Sequence, residues 1–481
     1  SLRWSTVNLM AELKTLNHHY KDMWVFPDAE DLAGLPAKAT SLGKTRLLLW
    51  VTLILTVLGV VGFVMRASAD GLSNYEPWGY YMAAFSFVFM VTAPAPLVSV
   101  AFRLIRSHWR RPLTRIAEIF ALVGIVNFVL YIPLMLMIPE IANPNEIGHH
   151  SLDIRRTLWI QVPWGAPHFW ETAAMFSLPL MSCLILLLSS TPDMSASIQY
   201  VTGAKKKLYV FLAGYWKGSK RQWLVMQAAI GALGGLYFLT LPFVQFLIST
   251  DLGMSLIAGW KDSIFPAIYT LMGFQTSLAA ILIVLYVFRK WGGYERFIGA
   301  SPFWSASKIL LGLSLLWIYH MFAFFITFWY GRMEVEQNIL NYLFVDSWFW
   351  IFILNALGSW LIPFGILVWN PVRRADWGAP LAGVFVLFGA LMFNVRTFVG
   401  AFNAGREQIY DISITVVPPA VAPDIWDLFM LIGVIGLAGL VYLIGLKIFP
   451  VMNIWEIKEG AMYQKMGRLF RGNYLVLAKP E

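Results

Sequence analysis

Cysteine, histidine and charge are all scarce in this chain. Its single Cys183 lies inside an apolar run. That excludes a disulfide framework, and any cysteine-held iron–sulfur cluster or structural zinc, within the chain. The seven His are scattered and do not read as haem ligands. Charged residues make up 13% of the sequence against 58% hydrophobic, with a mean hydropathy of +0.65. A soluble domain of 481 residues does not have that balance. No cleavable leader is expected, because the first long apolar run begins near Leu47, behind a polar segment. The net charge of +9 fits the basic loops of a membrane protein, and nucleic acid is not an expected partner.

What the chain does have is apolar runs, each close to the ~20 residues that a membrane helix needs. Helices are expected at about Leu47–Met65, Trp78–Phe102, Ile116–Ile138, His168–Ser190 and Trp223–Ser249. Five more are expected at about Ile264–Phe288, Lys308–Tyr330, Ser347–Trp369, Leu381–Gly400 and Ile425–Lys447. Pro94, Pro96, Pro133, Pro179, Pro242 and Pro363 fall inside these runs. Membrane helices tolerate such prolines because neighbouring groups satisfy the freed backbone. Alternate loops are basic, as in Arg103 to Arg115, Lys205 to Arg221 and Arg289 to Arg296. The loops between them are acidic, with Asp70, Glu76, Asp251, Asp262, Glu334 and Asp424. Lys and Arg mark cytoplasmic loops, so both termini are expected in the cytoplasm.

The second and third runs, with their basic loop, resemble the sixth and seventh. The spacing predicts an all-α integral membrane protein of about ten transmembrane helices. Two parallel four-helix bundles, about 78–249 and 264–400, are expected, with a flanking helix at each end. The expected organisation is a cytoplasmic N-terminal segment (1–45), a transmembrane domain (46–450) and a basic cytoplasmic tail (451–481).

Several stretches resemble a known family. They are Ser249-Thr250-Asp251-Leu252-Gly253-Met254-Ser255-Leu256, then Gly259-Trp260, then Ser263-Ile264-Phe265-Pro266. Ser307-Lys308-Ile309-Leu310, Phe328-Trp329-Tyr330-Gly331, Pro77-Trp78-Gly79 and the Arg115…Glu118 pair add to them. The chain resembles the NrfD, or polysulfide reductase membrane-subunit, family from about Pro77 to Pro450. It is most similar to the NrfD-like subunits of bacterial alternative complex III. The resemblance implies eight core helices in two bundles and a subunit without metal or haem of its own. It implies contact with quinone or menaquinone in the bacterial inner membrane. The implied partners are an iron–sulfur subunit, c-type haem subunits and a second NrfD-like chain, and transmembrane proton movement is a further implied role.

Polar residues inside the runs are the candidate site. The resemblance associates an acid after Trp170 with the quinone pocket, and Glu171 stands there. A carboxylate at that depth can take a proton from a quinol; a helix N-terminus also favours an acid by its dipole. Asp251 matches the family motif, although Thr250-Asp251-Leu252-Gly253 also reads as a turn. His168, one helical turn before Glu171, is expected on the same face and can bond a quinone carbonyl. Trp170, Trp260 and Tyr81 would suit a flat quinone ring; an interfacial aromatic belt explains them equally well. His149-His150, in the long acidic-side loop, can cover the site or serve as loop surface. The family's quinol-oxidising members often carry a His near the end of the third helix. Here Leu136-Met137-Ile138-Pro139-Glu140 has none, which counts against quinol oxidation in this subunit.

Three residues are candidates for a proton path. His320 is mid-span, Glu118 pairs with Arg115, and Arg396 beside Asn394 is placed to hold an acid across the bundle interface. Gln227, Gln245, Gln275, Asn127 and Asn355 read as hydrogen-bonding glue between helices. The functional expectation is a membrane subunit of a multisubunit quinone:acceptor oxidoreductase. The alternative is a structural or proton-path subunit with a degenerate quinone site. A secondary transporter ranks below both, for want of paired broken helices at the midplane. The basic tail and the N-terminal segment are expected to contact other subunits or anionic lipid headgroups.

Overall fold

The computed structural model describes residues 43–138, 164–295, 297–405, 417–469 and 472–477. The N-terminal segment before Gly43, the His149-His150 loop and the tail after Leu477 lie outside these residues. Among the described residues, ten helices are long and apolar enough to cross a membrane. In order they are Thr45–Asp70, Glu76–Leu104, Thr114–Met137, His168–Ser197 and Lys220–Leu256. Phe265–Trp291, Ser301–Gly331, Phe349–Leu367, Gly378–Phe402 and Ile425–Ile448 follow. The chain is therefore an all-α multi-pass membrane protein. Several helices run past the expected ends, while the eighth stops short of them on both sides. The fourth extends to Ser197 and so carries Asp193 inside the helix.

Spans two to five pack together, as do spans six to nine, and the second and sixth spans join the two groups. The second span is the hub. Its apolar window is 89% buried, against 6% for the first span. Small Gly79, Ala83, Ala84 and Ser86 alternate with aromatic rings there and let neighbouring helices approach closely. The two flanking helices, far apart in the chain, pair with each other along their length. A Cβ at Gly59 would lie 2.5 Å from Gly433 Cα, so glycine on both faces sets this approach. Arg66 clamps the acidic ends of the pair, reaching Asp424 at 2.8 Å and Asp427 at 2.7 Å.

The second span breaks at Pro94, with helix over Gly79–Thr92 and again over Ala95–Leu104. Pro94 has no N–H to give the Met90 carbonyl. Thr276 of the sixth span donates its hydroxyl to that oxygen instead, at 3.2 Å. Wider, π-helical turns interrupt the second bundle at Leu357–Leu361 and Val395–Val399. The tail adds a short helix, Ile454–Met462, and an antiparallel hairpin of strands Gln464–Leu469 and Gly472–Leu477.

Candidate functional site

Buried polar groups are strung along the inner face of the fourth span, from Glu171 at the acidic end through Ser182 to Ser189 and Asp193 at the basic end, with apolar Met175, Leu178, Ile185 and Leu186 between them. At the acidic end, Glu171 opens the fourth span and is 1% exposed. The Tyr131 hydroxyl, from the third span, donates to Glu171 Oε2 at 3.1 Å. Phe85 packs on Tyr131 with ring centroids 5.9 Å apart. Tyr81 is also buried, and its hydroxyl donates to the Leu130 carbonyl at 2.7 Å. A carboxyl group bonded to a tyrosine in an apolar wall can accept a proton from a ligand that enters there.

Not all expected neighbours join it. His168 is exposed, so the first turn of the fourth span does not bury it beside Glu171. Trp170 is 46% exposed, and its indole N–H turns back to the Trp164 carbonyl at 2.8 Å. Helical spacing put His168 and Glu171 on one face. At the first turn that face borders the membrane surface, and only Glu171 reaches inside.

Midway, Asn127 donates to Thr92 Oγ1 at 2.8 Å, and Thr92 in turn donates to the Val88 carbonyl at 2.7 Å. Asn127 Oδ1 has no hydrogen-bond partner among the described residues. It borders a cavity of about 10 Å³ shared with Ser182, Tyr237 and Met175. That volume is at the threshold for one water, and the lining supplies polar partners for it. The Tyr237 hydroxyl donates to the Ala93 carbonyl at 2.6 Å, at the break before Pro94.

At the basic end the line meets a dense ion cluster. Fully buried Glu118 pairs with Arg103 and with Arg115, the latter at 3.2 Å. It also accepts hydroxyl bonds from Ser99 at 2.9 Å and Ser189 at 2.8 Å. Arg115 donates to Asp193 at 2.7 Å and to Asn453 Oδ1 at 2.6 Å. The tail helix inserts Glu456, fully buried, which takes Arg103 at 2.6 Å and Thr114 at 2.9 Å. Burial alone would raise the Glu456 pKa, but Arg103 and Arg110 outweigh it and hold the carboxyl below its usual range. Such charges persist in a low dielectric only when each is paired and hydrogen-bonded.

Sequence reasoning found Arg115 and Glu118 but missed Asp193, Asn453 and Glu456. Asp193 had a signal: an acid in a helix longer than the expected span. Asn453 and Glu456 had none, because only tertiary packing brings the tail to the third span.

The remaining candidates lie apart from this line, at the end of the fifth span and in the second bundle. Asp251, fully buried, closes the fifth span, and Ser255 donates to its carbonyl at 2.7 Å. Trp260 is buried against Phe265, centroids 4.6 Å apart. Arg396 differs from expectation. No carboxylate lies within ion-pair distance of it among the described residues. Its guanidinium sits over Phe344 at 4.1 Å and Phe352 at 5.2 Å. Aromatic faces thus stabilise the charge where an acid was expected. His320 is half-buried, and its Nδ1 lies 2.8 Å from the Leu316 carbonyl of its own helix. It joins no interhelical chain of polar groups among the described residues.

Gln275, by contrast, donates to Ser314 at 2.9 Å and to the Ser359 carbonyl at 2.7 Å, while Asn355 donates to the Gly389 carbonyl of the ninth span at 2.9 Å. These act as the expected glue. At the interface of the two groups, Ser86 bonds Tyr269 at 2.7 Å and donates to Asn394 at 2.6 Å. On the acidic side, Asp262 accepts the Ile264 N–H at 2.7 Å. Burial pushes its pKa up to about 6. No family model and no curated protein matches this sequence.

Proposed function

We propose that this chain is an NrfD-like membrane subunit of a quinone:acceptor oxidoreductase of the alternative complex III type. Glu171 is the proton acceptor at the quinone. The observation that carries this is the buried Glu171–Tyr131 pair at the acidic end of the same buried helix face whose basic end, through Ser189, bonds Glu118. Quinol oxidation releases two electrons and two protons, so the pocket needs an acid beside the ring and an exit for charge. Glu171 supplies the acid. It takes the two protons in turn and passes each to water in the small cavity, which Asn127, Thr92 and Ser182 orient, on the way to Glu118 at the basic end. Tyr81 shapes the apolar wall.

The electrons leave through an iron–sulfur subunit on the acidic side, with c-type haem subunits and a second NrfD-like chain in the assembly. Asp251, at the end of the fifth span, and Trp260, in the loop before the sixth, are a second acid and aromatic ring on the acidic side. On this reading the chain lies in the bacterial inner membrane, and the charge pattern supports both termini in the cytoplasm.

One observation favours a second reading. The cavity beside Met175, one turn below Glu171, is water-sized. That suits a proton path whose quinone is handled by a neighbouring subunit.

The test is quinone binding and quinol-linked electron transfer in the isolated complex at fixed redox state. Wild type is compared with Glu171→Gln and Asp251→Asn. Loss in Glu171→Gln with assembly intact supports the first reading. Unchanged binding and turnover in both variants leaves the proton path alone.

A further inference from the structure

Between the fourth and fifth spans, on the basic side, lies a groove of about 320 Å³. Leu188, Val225 and Met226 line its apolar part, Tyr215 and Trp216 its wall, and Lys217 and Arg221 its polar end. From Ile198 to Met226 the sequence holds no Asp or Glu, yet it holds Lys205, Lys206, Lys207, Lys217, Lys220 and Arg221. Other cations on this side have partners within the chain: Arg103 and Arg115 pair with Glu118, Arg289 and Lys290 with Asp376, and Lys308 and Arg374 lie over the Trp304 ring. Lys206, Lys207, Lys217, Lys220 and Arg221 have no ion pair among the described residues. The charge of this groove is therefore left for something outside the chain.

The polar end is built rather than loose. Gln222 Oε1 accepts the Lys217 N–H at 3.0 Å and the Ser219 N–H at 3.2 Å. Its Nε2 donates to the Tyr215 carbonyl at 3.1 Å, and Ser219 caps the fifth span. Trp216 stacks edge-on against Trp223 at 5.0 Å, which fixes the wall. Val225, in the lining, is 60% exposed, and Phe211, four residues before Tyr215 on the short helix Gly203–Ala213, is 81% exposed. Apolar side chains exposed beside unpaired cations, at the end of a membrane span, match the boundary between acyl chain and headgroup.

We propose that this groove binds an anionic phospholipid of the adjoining leaflet. Its phosphate sits between Lys217 and Arg221, and an acyl chain lies along Leu188 and Val225. No carboxylate is present in the segment to hold the ammonium of a zwitterionic headgroup, and the apolar wall has no use in binding free phosphate. The wall also leads to the ion cluster. Trp223 packs on Trp455 at 5.5 Å, and Trp455 donates its indole N–H to the Ser189 carbonyl at 3.2 Å. A bound lipid therefore braces the tail helix that carries Glu456. None of this depends on the quinone reading.

The test is native mass spectrometry of the full chain released from nanodiscs of mixed phosphatidylglycerol and phosphatidylcholine. The wild type is expected to retain phosphatidylglycerol preferentially, with a preference that weakens as salt rises. Each lost cation near the surface is expected to lower retention about 5-fold, so Lys217→Gln with Arg221→Gln lowers it about 25-fold. Arg332→Gln, on the opposite side, leaves it unchanged. Equal retention of both lipids overturns the proposal, as does a preference insensitive to salt in the wild type. Protection of the wild type against heating by inorganic phosphate alone, equal to that by phosphatidylglycerol, would assign the groove to a free anion and also overturn it.

Discussion

Glu171 and Tyr131 place a carboxyl group and a phenol in contact inside an apolar wall, and neither is there for solubility. Glu171→Gln keeps an acceptor for the Tyr131 hydroxyl, so the fold is expected to survive. Quinol-linked turnover should fall by about 10² or more, the usual size of a lost general base. Tyr131→Phe should cost less, because the carboxylate remains. His168→Ala should leave turnover nearly unchanged, since that ring lies outside. Steady-state kinetics on the assembled complex check all three.

Asp262 gives a pH signature. Its folded pKa of about 6 lies above the 3.8 of the free carboxyl, because burial disfavours the charge. The native state then binds the extra proton, and stability falls as pH rises from about 4 to about 6. Thermal denaturation of Asp262→Asn across that window should show a flatter pH dependence than wild type.

The helices were legible because apolar runs bounded by charge leave no other structure possible in lipid. Their mutual arrangement was less so. Glycines mark close approach only when the partner is known. Gly59 faces Gly433 across most of the sequence, and no local pattern announces it. Gly59→Leu should push the first and last spans apart at a cost of ~1–3 kcal/mol, read as a lower denaturation midpoint. The tail helix Ile454–Met462 was read as a basic extension, yet it drives Glu456 into the arginines beneath the third span. Glu456→Gln strips a counter-ion from Arg103 and should destabilise by about 3–5 kcal/mol. Because the Glu456 pKa is held below its usual range, this stabilisation is complete above that range and is lost as pH falls through the depressed value. Denaturation of wild type and Glu456→Gln should converge under acid.

Across the whole molecule, acids that the sequence scattered along separate runs fall into two groups. Glu171 and Glu118 lie on one polar line in the first bundle. Asp251 lies in the wall next to the second, and Arg396 is enclosed by aromatic rings instead of answering an acid. Residue type and span position were enough to expect Glu171, Glu118 and Asp251 where they are found buried. They were not enough for His320 or Arg396, whose surroundings depend on which helix face meets a neighbour.

The central claim is that quinone meets the chain at Glu171. Photo-crosslinking of the assembled complex with an azido-menaquinone, followed by peptide mapping, tests it most directly. Label is expected on the segments around Tyr81, Tyr131 and Glu171, competed by unmodified menaquinone. Competable label confined to other segments, or to another subunit alone, would contradict it.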